Sequence, residues 1–262
     1  MDSINKTLYI PLYGKAYVSS KGILLRDEMA EKITSLVELP LKGSSRSKWL
    51  AYYMAMRAAI FDNWVTEQLS RYPDAVVLHI GCGLDSRCRR VQAKCRCWYD
   101  IDFPDVIEER RCFFAETDTY RMVAGDARES GWLAELPGNC PAIVVMEGIS
   151  MYLKPDETRT LLNDLRRCFP RMVVLMDCYT KFAAKASKYK NPVKDVGVTR
   201  VYGIDDPAEL IRDTGLIFVK QHDMTPAEMV DRLPAPDRRI FRLVYGGRMS
   251  RNLYRMYEFK SK

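Results

Sequence analysis

The chain has 262 residues with 41 Lys and Arg against 34 Asp and Glu, which is enough for one large α/β domain with an elaborated edge and a substantial core. Its longest apolar runs, such as Ala142–Met146 and Met172–Met176, are too short to cross a bilayer, and no basic segment leads into a long apolar run, so export and membrane insertion are not expected and a cytoplasmic setting is. The eight cysteines lack paired C-x-x-C spacing and Cys95 and Cys97 form only a C-x-C, so reduced thiols rather than a metal are expected; the formal charge of +7 permits an acidic partner without requiring one.

Met1–Leu41 contains a charged helical pattern over Arg26–Leu39, with Pro40 and Gly43 as a stop and Ser44, Ser45 and Ser47 as candidate caps. From Ser45 to Tyr72 the residues Trp49, Leu50, Tyr53, Ile60, Phe61 and Trp64 recur at helical spacing, predicting one long amphipathic helix that Pro73 ends. The pattern then changes. Ala75–Ile80, Cys97–Ile101, Arg121–Ala124, Ala142–Glu147 and Met172–Asp177 read as strands, alternating with helices over Asp85–Ala93, Pro104–Glu116, Ser130–Leu136 and Pro155–Phe169. Lys181–Gly203 is basic and irregular, Pro207–Thr214 reads as a helix and Leu216–Met224 as a strand. A basic helix from Pro236, weakened by Gly246 and Gly247, precedes a last strand near Leu253–Phe259. The expected fold is α/β, a doubly wound, mostly parallel seven-stranded sheet. Residues 1–72 are expected to form an N-terminal helical cap, and 73–262 the Rossmann-like domain, with 179–205 a cover on the substrate side.

The strongest local signal is Val76-Val77-Leu78-His79-Ile80-Gly81-Cys82-Gly83-Leu84-Asp85-Ser86-Arg87, a buried strand running into glycines and a helix. Gly81 and Gly83 permit a tight turn and close approach of the backbone to a nucleotide-like ligand. About twenty residues on, Asp100-Ile101-Asp102 closes the second strand, and Asp102 is placed to accept from ribose hydroxyls. Ser86 stands where a dinucleotide fold prefers its third glycine, which argues against NAD; S-adenosylmethionine has no pyrophosphate. An ordinary β-α turn remains the bland alternative.

Arg57 lies in the apolar stripe of the long helix, four residues after Tyr53, so an anion should meet it, the carboxylate of such a cofactor or a protein acid, unless its long side chain simply snorkels to water. Glu147 ends the fourth strand, where a carboxylate could face the cofactor's ammonium or sulfonium. Asp126, after the third strand, is a loop acid or an adenine contact. Tyr152 could orient an acceptor or merely pack. His79 reads as structural, and His222 as either functional or merely exposed.

These residues resemble the leucine carboxyl methyltransferase superfamily, which includes O-methyltransferases of polyketide synthesis. The resemblance rests on Gly81-Cys82-Gly83-Leu84-Asp85-Ser86-Arg87, on Trp98-Tyr99-Asp100-Ile101-Asp102-Phe103-Pro104 and on Glu147-Gly148-Ile149-Ser150-Met151-Tyr152-Leu153, together with Lys15-Ala16-Tyr17 and Arg57. It implies a class I methyltransferase that uses S-adenosylmethionine. It further implies that Lys15 and Arg57 hold the cofactor carboxylate, Gly81 and Gly83 line its methionyl part, Asp102 takes the ribose, Asp126 and Ala127 the adenine, and Glu147 the amino-acid end. The expected acceptor is a small molecule or a carboxyl group. Two competing readings are a nucleic-acid methyltransferase, suggested by the basic stretches Lys181–Arg200 and Arg238–Arg255, and a non-catalytic binding module on the same fold. Against the first, the fourth strand does not end in the Asn/Asp-Pro-Pro-aromatic run of base-amino methylation.

Overall fold

The five apolar runs become parallel strands: β1 (Val76–Ile80), β2 (Cys97–Asp102), β3 (Tyr120–Ala124), β4 (Ala142–Met146) and β5 (Met172–Tyr179). Two later strands, β6 (Leu216–His222) and β7 (Tyr254–Ser261), complete a seven-stranded sheet in the order β3-β2-β1-β4-β5-β7-β6. The structure is a computed structural model that describes residues 5–187, 201–246 and 252–262. β7 runs antiparallel to both neighbours and is inserted between β5 and β6. The strand order reverses between β1 and β4, so a crevice opens beyond their C-terminal ends, where open α/β sheets place their ligands.

Because side chains alternate across a strand, one sheet feeds two cores. Val77, Ile143, Val145 and Leu175 face the cluster that holds Phe61, Trp64 and Met56. Val76, Leu78, Val144 and Val174 face the cluster that holds Leu161, Leu162, Leu165 and Phe169. All residues of β1, β4 and β5 are buried, as continuous apolar runs covered on both faces must be. β6, at the edge, is largely exposed.

Three helices build the N-terminal layer: α1 (Tyr9–Ser19), α2 (Glu28–Leu36) and α3 (Lys48–Arg71). Asp27 caps α2 by accepting from the Ala30 amide at 2.9 Å, and Ser47 caps α3. Gly14 lets α1 and α3 approach closely, since a Cβ there would lie 3.1 Å from Met54. The remaining helices are α4 (Arg87–Arg90), α5 (Pro104–Arg111), α6 (Pro155–Cys168), α7 (Lys181–Ala186), α8 (Ala208–Ile211), α9 (Ala227–Val230) and α10 (Ala235–Val244).

Several elements are shorter than the sequence suggests. The helix expected over Asp85–Ala93 is the single turn α4, because Arg87 and Arg90 are both held by Asp62 and Val91 leaves in an extended conformation to reach the core. Ser130–Leu136 forms only a 3-10 turn at Gly131–Glu135, and the Pro207–Thr214 helix contracts to α8. Within the expected cover, α7 is helical, while residues 188–200 lie outside the described residues, as does Gly247. Replacing Phe61, fully buried on α3, with Ala should cost about 3–5 kcal/mol through the cavity it leaves. Urea unfolding checks this, and a loss below about 1 kcal/mol would mean α3 is not part of the core.

Candidate functional site

The crevice is a cavity of about 460 Å³, within the ~300–1,000 Å³ common for small-molecule sites. Lys15, Arg57, Gly81, Gly83, Asp102, Asp126, Ala127, Glu147 and Tyr152 all line it, so the structure brings every candidate residue to one place. They arrive on separate elements: α1, α3, the ends of β1 to β4, and the turn that follows β4.

The β1 turn is shaped by its glycines. Gly81 and Gly83 have φ of +73° and +51°, the left-handed region that side chains disfavour. A Cβ on Gly81 would also lie 2.9 Å from Ile149. The Gly83 amide donates to Asp102 Oδ2 at 2.7 Å and the Phe103 amide to Oδ1 at 2.8 Å, so Asp102 fastens the glycine turn to the second strand. Burial pushes its carboxyl up to about 6, against the lowering effect of the two amides. Asp126 is tied to Arg128, whose Nε donates to both carboxylate oxygens at 2.9 Å.

Arg57 is 4 % exposed, and the anions it meets are protein acids. Its Nε donates to Glu147 Oε1 and its Nη1 to Asp177 Oδ2, both at 2.9 Å. Of the two partners anticipated for this guanidinium, the structure supplies the protein-acid kind. The ion pairs fix two of its donors, while the residue still lines the cavity. Gly148, with φ of +72°, passes so close that a Cβ would lie 3.3 Å from Nη2; its amide also donates to Asp177 Oδ1 at 2.6 Å.

Glu147 is shared with Arg87, which is wholly buried and also donates to Asp62 Oδ1 at 2.7 Å. Burial alone would raise the Glu147 carboxyl, but the Arg87 and Arg57 guanidiniums outweigh it and hold it below the usual range. Lys15 Nζ meets Asp85 Oδ2 at 3.2 Å. Asp85 also takes Arg90, as do Asp27 and Asp62. The result is one buried ionic network in which α1, the residue before α2, and α3 all grip the segment Asp85–Arg90.

Sequence reasoning left Arg87, Arg90, Asp62, Asp177 and Gly148 without roles. Arg87 and Gly148 stood inside the quoted motifs, so a signal existed for them; Asp62 and Asp177 carried none, because their partners are distant in the chain. His79 is buried against Arg87 Nη1 at 3.0 Å and Asp100 at 3.2 Å, and burial followed by the Arg87 charge lowers its pKa. It is a structural histidine. His222 pairs with Glu258 at 2.7 Å on the outer strands.

A ligand with an adenosyl body and an amino-acid end fits this donor set: a half-buried carboxylate at a glycine turn, buried cations beside acids one strand further on, and apolar walls between. Among known proteins, the family model described as leucine carboxyl methyltransferase matches residues 13–166. The chain is 32% identical to the tetracenomycin polyketide synthesis O-methyltransferase TcmP of Streptomyces glaucescens, over 86% of this chain and 84% of the relative. It is 29% identical to the S-adenosyl-L-methionine-dependent methyltransferase dpfgK of Gibberella zeae, over 78% and 76%. A solved structure of magnesium protoporphyrin IX methyltransferase from Synechocystis with S-adenosylmethionine bound superposes with a TM-score of 0.53 at 13% identity, covering 100% of this chain and 98% of that one.

Arg87→Met should cost about 3 kcal/mol in stability, since it takes one of two guanidiniums from the buried Glu147 and from the half-buried Asp62, which keep only Arg57 and Arg90. Urea unfolding at neutral pH measures it. An unchanged midpoint would show that the network closes without Arg87.

Proposed function

Since the chain belongs to the leucine carboxyl methyltransferase family and is an S-adenosylmethionine-dependent methyltransferase, we propose that it methylates an oxygen of a small molecule, specifically a carboxylate. The observation that carries this is the engagement of every acid and histidine on the cavity wall. Glu147 is taken by Arg57 and Arg87, Asp85 by Lys15 and Arg90, Asp126 by Arg128, Asp102 by two amides, and His79 by Arg87. An alcohol acceptor needs a base, whereas a carboxylate is ionised at neutral pH and needs none.

S-adenosylmethionine supplies a methyl group activated on a positively charged sulfur, and the bonding electron pair stays on sulfur when the acceptor oxygen takes the methyl. The protein has to align and to exclude water. In our reading Lys15 and Arg57 hold the cofactor carboxylate, Gly81 and Gly83 line its methionyl part, Asp102 accepts from the ribose, Asp126 and Ala127 meet the adenine, and Glu147 faces the ammonium. Tyr152 orients the acceptor. Residues 1–72 then act as a cap that completes the cofactor site of the domain over 73–262, with 179–205 on the substrate side. Largely apolar walls around the reacting groups would favour a transition state in which opposite charges are partly neutralised. The polyketide role named for TcmP agrees with a small-molecule acceptor, and neither the nucleic-acid reading nor the non-catalytic module is favoured by the relatives.

Calorimetry with S-adenosylhomocysteine is expected to give micromolar or tighter binding, and a panel of free carboxylates and phenols is expected to yield methyl esters; phenol ethers alone would overturn the carboxylate assignment. Asp102 must be ionised to accept from two hydroxyls, and its carboxyl is raised to about 6 by burial. Affinity should therefore fall as pH drops below about 6, by up to about tenfold per unit, with a proton released on binding in that range. Asp102→Asn should bind more weakly and lose this dependence; a pH-independent wild type would remove Asp102 from the ribose.

A further inference from the structure

The candidate cofactor contacts lie in order along the sheet edge: Asp126 beyond β3, Asp102 on β2, Gly81 and Gly83 after β1, and Glu147 after β4. Past Glu147 the edge continues to β5 and β7, and the side chains change character there. Tyr179 ends β5 and Tyr254 begins β7, directly opposite in register. Their rings meet edge to face, with centroids 4.5 Å apart at 83°. Tyr53 approaches Tyr254 from α3 at 5.7 Å. A second aromatic group, Trp49 stacked on Tyr245 at 6.0 Å and 19°, joins the N-terminal end of α3 to the segment after α10. All five rings line the cavity.

One helix face links the two groups to the charged cluster. Trp49, Tyr53 and Arg57 stand four residues apart, so they form a single stripe along α3. Tyr53 and Tyr179 are buried and act as backing, whereas Tyr254, Trp49 and Tyr245 are half-buried and keep surface toward the cavity. This differs from ordinary core aromatics of the same chain, such as Phe61 and Phe241, which have no exposure. Resting on the methyltransferase reading above, we propose that this end of the cavity is the acceptor's ring subsite, with Tyr254 and Trp49 selecting a planar aromatic acceptor.

The chemistry of the wall agrees with that occupant. Flat rings held by backing rings present fixed π faces, which favour another planar ring over a saturated one of similar size. The polar groups of these rings are the tyrosine hydroxyls and the Trp49 indole N–H. Burial pushes the Tyr254 hydroxyl well above its ordinary range, with Tyr179 adding to the shift and Arg57 opposing it. It therefore stays protonated and offers a ligand a neutral hydroxyl that can donate or accept. The five ring residues carry no charge, and Arg57 beside them is paired with Glu147 and Asp177. An acceptor lying here would place its substituent toward Glu147 and the β4 turn, where the methyl donor's amino-acid end is proposed to lie.

The test uses the full chain saturated with S-adenosylhomocysteine and two calorimetric probes, 2-naphthoate and decahydro-2-naphthoate, which share a carboxylate and a size but not a flat ring. The wild type should bind 2-naphthoate about tenfold more tightly, as two ring contacts would provide. Tyr254→Leu and Trp49→Leu should each erase most of that preference and leave S-adenosylhomocysteine affinity within about twofold. Tyr254→Phe should keep it. Equal affinity of the two probes for the wild type, no binding of 2-naphthoate at millimolar concentration, or a preference that survives in both leucine variants would overturn the subsite. Failure of the wild type to bind S-adenosylhomocysteine would instead overturn the methyltransferase reading, so the two failures are distinguishable.

Discussion

The architecture turns on one buried guanidinium. Arg57 reaches from the middle of α3 to the carboxylates at the ends of β4 and β5, which makes it the point where the N-terminal helices and the sheet are electrically joined. A charge this deep is tolerable only when its partners are complete, and the chain completes them with Glu147 and Asp177. Glu147 in turn needs Arg87, and Arg87 needs Asp62 on the same helix as Arg57. The circuit therefore closes through α3 twice. Such a circuit is costly to assemble relative to an apolar core of the same volume, and its retention next to the cavity is consistent with positioning rather than with stability alone.

A second buried cluster plays a parallel part under β2. Arg110 on α5 donates to Asp100 and to the Gly83 carbonyl, while Tyr120 donates to Asp100 at 2.8 Å. Burial would raise the Asp100 carboxyl, but Arg110 outweighs it and brings it down to about 2. Within three residues, then, Asp100 is kept charged by a guanidinium while Asp102 is held only by amides. The two acids of Asp100-Ile101-Asp102 share one face of the strand and differ in their place along it: Asp100 lies in the structural cluster, and Asp102, the last residue of β2, lines the cavity. That is how a three-residue motif can both pin the glycine turn from beneath and leave a carboxylate at the rim.

The five parallel strands were legible because each is an apolar run followed by a helical pattern, and the turn residues Gly81, Gly83 and Asp102 because their spacing is local. Arg57 was legible as an anomaly, a cation in an apolar stripe, although the sequence could not decide which anion would meet it. What stayed hidden is tertiary. Asp62 looks like any solvent-side acid of a helix, and Asp177 like a strand-end residue, until α3 is laid against β1 and β5. The shortening of the Asp85–Ala93 helix to one turn has the same origin, since helical pattern cannot register that Arg87 and Arg90 are both pulled toward one acid, Asp62, 25 and 28 residues earlier. Of the aromatic groups only Trp49 and Tyr53 were visible, as members of one helical stripe, because Tyr179, Tyr245 and Tyr254 lie in other parts of the chain and join them only in the fold.

The place of β7 has a consequence for how the molecule assembles. It follows every other strand in the chain, yet it lies inside the sheet, pairing β5 on one side and β6 on the other. A ribosome that has delivered everything up to β6 has delivered a sheet with an open seam, and contacts of such long sequence separation form slowly. Tyr254 enters with that last strand. The aromatic wall is therefore completed only by the last strand, whereas every residue of the glycine turn and of the charged network precedes that strand in the chain.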